Sequence, residues 1–132
     1  MKDKTKAWLE LADSDLQFAE SILQNKNRPY YAIHFCHQAI EKLLKAIVQE
    51  YTSEDPKRTH NFKTLWEQAR IPLSESQMFF LLELMPHYVG TRYPEDIRSL
   101  HKTYTVEFVS KKLLETKEIY LWLKKYLTSK KQ

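Results

Sequence analysis

His37-Gln38-Ala39-Ile40-Glu41-Lys42-Leu43-Leu44-Lys45-Ala46 is the stretch of sequence that decides the fold. It lies within residues 30–51, which contain no glycine and no proline. Apolar side chains recur there three and four residues apart, which places them on one face of an α-helix. Two small residues on that face, Ala39 and Ala46, allow a second helix to approach closely. The sequence therefore predicts a central helix, and its polar residues lie at the edge of the apolar face or off it: Gln38, Glu41, Lys42 and Lys45.

Further segments with the same period predict an all-α fold, an up-and-down bundle of about five helices. The first helix is expected from about Asp3 to Gln24, and a short loop over 24–27 makes it an antiparallel neighbour of the central helix. The central helix is expected to begin near Arg28-Pro29, with Asn27 as its N-cap. A single glycine in 132 residues supports this prediction, because a β-rich fold needs more tight turns.

Capping residues mark the start of two helices after the central one. A third, shorter helix is expected to begin after Thr59 or Asn61, either of which can accept a hydrogen bond from its first turn. Ser74 and Gln77 fit a capping box, in which each side chain bonds to the backbone of the other, just ahead of an apolar run. A fourth helix is therefore predicted from Ser74.

The C-terminal third of the chain has a less regular pattern. Pro86 is expected to bend or end the fourth helix near residues 84–85, because it has no N–H to donate. Residues 87–104 lack a clean period and are predicted to form either an irregular loop or a broken extension of the helix. The last helix is expected from Thr105, its N-cap, to about Leu127.

The composition indicates one domain, residues 1–132, without disulfide bonds. A chain of this length buries roughly two thirds of its unfolded surface and needs no cross-links. The single cysteine, Cys36, lies on the apolar face of the central helix and is expected to be a buried small hydrophobe. There is no apolar signal-peptide core and no run approaching about 18 apolar residues, so we expect a cytoplasmic protein without a membrane partner. The net charge of +4 permits an anionic partner but does not require one.

Four stretches, in order and spacing, are typical of one protein family. The central stretch, 37–46, is similar to a Gln-Ala-x-Glu-Lys-x-Leu-Lys-Ala core. The other stretches are Trp8, Ala12, Asp15-Leu16 and Ala19 in the first helix, Thr59-His60-Asn61-Phe62 with Leu65, and Arg92-Tyr93-Pro94. Together they resemble the HEPN domain family of small all-α proteins, and the likeness covers nearly the whole chain.

The resemblance implies a homodimer and a choice between two kinds of activity. HEPN proteins are often encoded beside, or fused to, a minimal nucleotidyltransferase, and many such pairs are toxin–antitoxin systems. Other members are metal-independent RNases, which carry an Arg and a His with four to six residues between them, placed across the dimer cleft.

This chain departs from the RNase pattern. Arg92 and His101 have eight residues between them, and Arg98 and His101 have two. Arg28 and His34 have five between them, but they stand at the start of the central helix rather than in the later segment where the family's pair belongs. The catalytic candidates of an RNase are therefore His101, Arg98, His34 and Arg28, and whether the protein is an enzyme stays open.

Arg92-Tyr93-Pro94 is the leading candidate for a binding site. The planar guanidinium of Arg92 suits a phosphate or a carboxylate, Tyr93 can stack on a base, and Pro94 fixes the turn that presents them. In the alternative interpretation, Arg92 is a structural clamp that pairs with Asp15 or Glu41.

The central helix supplies the other candidate ligand-binding residues: His37, Glu41, Lys42 and Lys45. Glu41 and Lys45 are also a favourable i, i+4 pair, so a solvated helix face is the alternative. His37 could act as an acid or base, but it also fits a partly buried, hydrogen-bonded role. His60 precedes a short helix and is interpreted as helping to cap or anchor it. No third ligand is predicted near His37 and Glu41, so we expect no metal and no cofactor.

Three functions fit this sequence. The first is a homodimeric accessory or toxin-type partner of a minimal nucleotidyltransferase, which binds a nucleotide or another phosphate-bearing ligand in a cleft lined by Arg92 and Tyr93. The second is a metal-independent RNase that acts on RNA. The third is a dimerisation scaffold without a ligand.

Overall fold

Six helices and the loops between them form the part of the chain that the structure describes. The computed structural model describes residues 1–25, 28–92 and 97–129, and only the backbone of 89–92 and 97–99. The helices are α1 (Asp3–Asn25), α2 (Tyr30–Tyr51), α3 (Phe62–Ala69), α4 (Glu75–Arg92), α5 (Ile97–Thr103) and α6 (Val106–Ser129). These ranges contain no β-strand, so the predicted all-α fold is confirmed, with six helices where about five were expected.

The central helix, α2, forms the core because one of its faces is excluded from water. It packs against α1, α3, α4 and α6. Its fully buried large side chains are Ile33, Ile40, Leu43, Leu44 and Ile47. Ala39 and Ala46 are also fully buried, as expected for positions of close helix approach. Each large aliphatic side chain buried in this way contributes about 1.5–3 kcal/mol to folding.

The first two helices run antiparallel, as predicted from the short connection between them. At one end, the backbone N–H of Lys2 donates to Glu50 Oε1 at 2.9 Å. Near the middle, Lys42 Nζ lies 2.6 Å from Asp15 Oδ2. The start of α1 therefore lies beside the end of α2.

The predicted caps of three helices are confirmed. Asn61 accepts the backbone N–H of the third residue beyond it at 3.1 Å and begins α3. Ser74 and Gln77 form the reciprocal pair of bonds, at 2.8 and 3.1 Å, that defines a capping box. Thr105 accepts the N–H three residues on at 3.1 Å and begins α6. These side chains satisfy donors that a helix start leaves unpaired.

The start of α2 differs in detail from the prediction. The helix begins at Tyr30, and Pro29 is its N-cap without a side-chain hydrogen bond. Arg28 has a left-handed backbone, with φ 54°, which turns the chain just before the helix. Asn27, the expected cap, lies outside the described residues.

Pro86 lies inside α4 and does not end it. A proline in a helix interior removes one backbone hydrogen bond and costs about 3 kcal/mol, which is why the sequence suggested an end near residues 84–85. The helix nevertheless continues to Arg92, because tertiary packing holds the turn after the proline: Tyr88 is only 6% exposed and stacks on His37. The described part of residues 87–104 is thus largely helical, as the broken-extension alternative expected, with α4 reaching Arg92 and α5 beginning at Ile97; residues 93–96 lie outside the described residues.

Cys36 is a buried core residue rather than a reactive thiol. Its side chain has no exposed surface. Burial raises its pKa to about 12, so the thiolate is absent at neutral pH.

A buried carboxylate with two histidines as the candidate functional site

Glu41 lies at the centre of a polar cluster between α2 and the loop that precedes α3. Lys45, one helical turn further along α2, donates from Nζ to Glu41 Oε2 at 3.0 Å. The other oxygen, Oε1, accepts from His60 Nδ1 at 2.8 Å. Glu41 is only 6% exposed, so the interpretation as a solvated helix face is wrong. The i, i+4 pair does form, but the loop carrying His60 covers it.

His37 attaches the same loop to α2 one turn before Glu41. Its Nε2 donates to the backbone oxygen of His60 at 3.0 Å. The rings of Phe62 and Tyr88 stack on its imidazole, with centroid distances of 4.2 and 4.1 Å. With 1% of its surface exposed, His37 has the buried, hydrogen-bonded role that the sequence suggested. We refer to His37, Glu41, Lys45 and His60 as the Glu41 cluster.

The protonation states in the cluster follow from its contacts. Burial raises the pKa of the Glu41 carboxyl, but the imidazoles of His37 and His60 and the ammonium of Lys45 lower it more strongly, to about 2. Burial lowers the pKa of His37, although Glu41, 3.6 Å from its Nε2, opposes this shift. At neutral pH, Glu41 is therefore a carboxylate and His37 is a neutral imidazole.

The hydrogen bonds also assign the protons on the two rings. His37 must carry its proton on Nε2, because the partner is a carbonyl oxygen, and this leaves a lone pair on Nδ1. That atom is buried and has no hydrogen-bond partner within the described ranges. His60 must carry its proton on Nδ1, because an ionised carboxylate only accepts.

His60 therefore presents Nε2, the nitrogen on the opposite edge of its ring, with a free lone pair. Its side chain is 61% exposed, whereas the Glu41 side chain behind it is 8% exposed. A carboxylate behind a histidine stabilises the imidazolium that forms when the ring takes up a proton. The arrangement can accept a proton from a bound molecule or donate one to it.

Lys42 lies outside this cluster. Its ammonium, 2.6 Å from Asp15 Oδ2, ties α2 to α1 instead. Asp15 and Glu41 were the two carboxylates considered as partners of an Arg92 clamp, and each is bound by a lysine of α2.

The C-terminal half of α4 contacts the cluster through Tyr88. Tyr88 stacks on His37, and its ring centroid is 5.5 Å from that of His60. Arg92 is the last residue of α4, one helical turn, or about 6 Å, beyond Tyr88. The side chain of Arg92 lies outside the described residues, as do Tyr93 and Pro94.

One protein family matches almost the whole chain. Comparison with family profiles aligns the HEPN domain with residues 5–126. The chain belongs to the HEPN domain family. Comparisons with curated proteins and with solved structures found no match. None of the helices in the described ranges is long and apolar enough to cross a membrane.

The four candidate residues for HEPN RNase catalysis lie on α5 and around the start of α2. His101 is exposed on α5, and its ring packs edge-on against the first residue of α2 with 5.7 Å between centroids. Arg28, also exposed, directly precedes that end of α2. His34 is one turn into the helix, 5.6 Å from the Tyr88 ring. Of Arg98, only the backbone in α5 is described.

The sequence predicts that His60 caps or anchors the short helix of this HEPN domain, but it does not reveal the bond to Glu41, and it gives no role to Tyr88. Tyr88 contacts the rings of His34, His37 and His60 and so gathers three histidines from two segments. The one signal for His60 was its place in the Thr59-His60-Asn61-Phe62 stretch. Its bond to Glu41 spans 19 residues of sequence, and no helical period reveals such a contact.

The described geometry of the cluster offers an acid–base group, and no metal site is found beside it in the described ranges. Among the residues described, no three His, Cys, Asp or Glu side chains converge to hold a metal ion. His60 Nδ1 and His37 Nε2 are both engaged in hydrogen bonds.

Proposed function

We propose that residues 1–132 form one HEPN domain and that the protein is a homodimeric, cytoplasmic partner, of accessory or toxin type, of a minimal nucleotidyltransferase. Membership of the family supports the partner, because HEPN proteins are often encoded beside such enzymes. The exposed apolar side chains on several helices support a protein-binding role, since exposed apolar surface marks interaction sites.

We further propose that the protein binds a nucleotide or another phosphate-bearing ligand in a polar cleft between the Glu41 cluster and the end of α4. The observation that carries this proposal is the exposed edge of His60, held in place by a buried carboxylate. The imidazolium form of the ring would donate a charge-assisted hydrogen bond to a phosphate oxygen near Nε2. Glu41 compensates the added positive charge.

The end of α4 supplies the second half of this cleft. Arg92 follows Tyr88 by one turn, and Tyr88 contacts both histidines of the cluster. A guanidinium there would bind phosphate oxygens through two parallel hydrogen bonds.

Variant Arg92→Ala tests the ligand-binding role. We expect it to weaken binding of adenosine 5′-triphosphate, measured by calorimetry, and to leave the melting temperature nearly unchanged. Lys63→Ala, an exposed residue of α3, is the matched control and should bind as the wild type does. A large loss of stability with unchanged binding would instead show that Arg92 is a structural clamp.

Sequencing of the neighbouring reading frames and co-expression with any minimal nucleotidyltransferase found there test the partner. We expect the two proteins to elute together in size-exclusion chromatography. Independent elution at micromolar concentrations would contradict the proposed partnership, whatever the outcome with nucleotides.

A metal-independent RNase is the second candidate, because a carboxylate, a histidine and a free Nε2 form an acid–base arrangement. Incubation of the pure protein with RNA in EDTA tests it. Cleavage that disappears in His60→Ala but persists in His101→Ala assigns the activity to the Glu41 cluster. Cleavage lost in His101→Ala or His34→Ala assigns it to the start of α2, and no cleavage at high protein concentration rejects the enzyme.

A further inference from the structure

A second concave site is lined by Lys45 but not by His60. It has a volume of about 350 Å³ and lies between the start of α1, the end of α2 and the α2–α3 loop. The residues that matter to its chemistry are Lys4, Trp8, Lys45, Asp55, Lys57 and Arg58. We refer to it as the Trp8 pocket.

The pocket carries an excess of positive charge. Four cationic side chains line it, against the single carboxylate of Asp55. Lys4 is paired with Asp55 at 3.7 Å, but both side chains are about three-quarters exposed, and such pairs are weak. Lys57 and Arg58 have no carboxylate within 4 Å in the part of the chain that the structure describes. The charge of these two residues is therefore available to an anion.

The loop that carries Lys57 and Arg58 is held in one shape by side-chain hydrogen bonds. Gln68 of α3 accepts from the backbone N–H of Lys57 at 3.1 Å and donates to the backbone oxygen of Asp55 at 2.9 Å. Gln49 of α2 donates to the carboxylate of Asp55 at 3.3 Å. A ligand that binds here does not have to order the loop, so less of its binding free energy is lost.

Trp8 and Lys45 form the inner wall of the pocket. The Lys45 ammonium lies 5.4 Å from the centroid of the Trp8 ring, a cation–π contact, and is also bonded to Glu41. Lys45 is thus shared by the Trp8 pocket and the Glu41 cluster. The indole adds a flat apolar surface beside four cationic groups.

We propose that the Trp8 pocket binds a nucleotide, with the phosphate on Lys57 and Arg58 and the base against Trp8. Lysine and arginine bind phosphate, and bases stack on aromatic rings at about 1–3 kcal/mol each, without sequence preference. The volume lies within the range of small-molecule sites, roughly 300–1,000 Å³. This inference rests on the proposed function and gives its ligand a second and more basic location. The nucleotide is either free or the end of an RNA chain.

Calorimetry with a double variant tests this inference. The probes are adenosine 5′-monophosphate, adenosine, inorganic phosphate and a hexaadenylate RNA with a 5′-phosphate, all at about 0.15 M salt, where charges more than about 8 Å away are screened. We expect Lys57→Ala/Arg58→Ala to raise the Kd of the monophosphate at the Trp8 pocket at least about tenfold. Lys63→Ala/Lys125→Ala removes the same charge from exposed positions outside the pocket and should change the Kd less than about twofold.

Trp8→Leu separates the two halves of the ligand. We expect it to weaken binding of the monophosphate and to leave binding of inorganic phosphate unchanged, because leucine fills the wall but offers no aromatic face. The melting temperature of each variant shows that it is folded. Binding of either the free monophosphate or the RNA supports the inference, provided that it depends on Lys57 and Arg58, and the comparison of the two identifies the source.

Three results would overturn the inference. Equal weakening by both double variants would show only a general attraction of anions. Binding that is lost in Arg92→Ala but retained in Lys57→Ala/Arg58→Ala would place the ligand at the end of α4, so that the proposed function stands and the Trp8 pocket fails. Absence of binding for every probe, with normal co-elution of the nucleotidyltransferase, would reject the pocket and the ligand but leave the partnership.

Discussion

The carboxylate of Glu41 accepts two hydrogen bonds, from Lys45 Nζ at 3.0 Å and from His60 Nδ1 at 2.8 Å. A buried carboxylate with both oxygens bonded is stable because each bond compensates part of the lost hydration. The same two bonds attach the loop before α3 to the central helix. At the scale of single residues, the candidate site therefore depends on this carboxylate more than on any other side chain.

Replacement of Glu41 by glutamine should lower the free energy of unfolding by about 2–4 kcal/mol at neutral pH. The amide keeps the size of the side chain but removes its charge, so Lys45 and His60 lose their counterion. Urea denaturation measures the change. Glu67→Gln, at an exposed position on α3, is the matched control and should change the stability by less than about 0.5 kcal/mol. Equal effects of the two variants would contradict the structural role of the cluster.

Stability should fall in two steps as the pH is lowered. Burial lowers the pKa of His37, so the unfolded chain takes up the proton more readily than the folded chain. The free energy of unfolding therefore decreases as the pH falls below 6.5, the ordinary pKa of a histidine. The pKa of Glu41 is lowered from 4.5 to about 2, so up to about 3 kcal/mol is lost as the pH falls through that window. Urea denaturation at a series of pH values measures both steps. The second step should disappear in Glu41→Gln, and its persistence there would assign it to other carboxyl groups.

Some of these residue contacts were predictable and others were not. The Glu41–Lys45 pair follows from helical spacing, and a partly buried, hydrogen-bonded role was one of the two interpretations of His37. The cover over Glu41 was not predictable, because it comes from His60 in a separate loop. A local pattern gives the register of one helix, but it contains no information on which loop packs on it.

At the scale of elements, α3 positions the site by fixing the residues on either side of His60. Thr59 Oγ1 accepts the backbone N–H of Asn61 at 3.1 Å, and Asn61 caps the helix. Phe62, the first residue of α3, is fully buried and stacks on His37. The orientation of His60 therefore follows from the start of a short helix.

Asn61→Ala should destabilise the protein by about 1 kcal/mol through loss of the cap. Asn61→Asp keeps an acceptor at the same place and should retain most of the stability. Thermal denaturation compares the two variants, and the long-range imidazole NMR signals of His60 report whether the loop has moved. An alanine variant as stable as the aspartate variant would show that tertiary packing alone sets the start of α3.

Helix starts were predictable, but the course of α4 was not. Capping side chains such as Ser74 and Gln77 act within four residues, so the sequence displays them directly. The continuation through Pro86 depends on the stacking of Tyr88 on His37, 51 positions away in the chain. Pro86 still costs the helix one backbone hydrogen bond, and the packing of α4 against α2 offsets that cost.

At the scale of the whole molecule, the apolar period of each long helix was sufficient to predict an all-α bundle around α2. Neither the Glu41 cluster nor the Trp8 pocket could be predicted in this way. The pocket requires α1, the end of α2 and the following loop to meet, and residues 4 and 58 are far apart in sequence. Such sites can be identified only when the three-dimensional arrangement of the helices and loops is known.

The exposed apolar residues of α6 give a prediction for the proposed homodimer. Leu114 and Leu121 are 63% and 65% exposed and lie seven residues apart, on one face of the helix. We expect Leu114→Glu/Leu121→Glu to convert a dimer to a monomer in analytical ultracentrifugation. Leu11→Glu/Phe18→Glu changes a similar exposed pair on α1 and is the matched control. Dissociation by the control pair alone would move the interface to α1.

The most direct test of the account is the state of the His60 ring in solution. Long-range ¹H–¹⁵N NMR at about pH 8, where a histidine ring is normally neutral, distinguishes the two tautomers. The structure predicts a proton on Nδ1, bonded to Glu41, and a shift of the Nε2 signal when adenosine 5′-monophosphate is added. A proton on Nε2 in the free protein, together with signals that do not respond to the nucleotide, would contradict the claim that Glu41 holds His60 ready for a phosphate-bearing ligand.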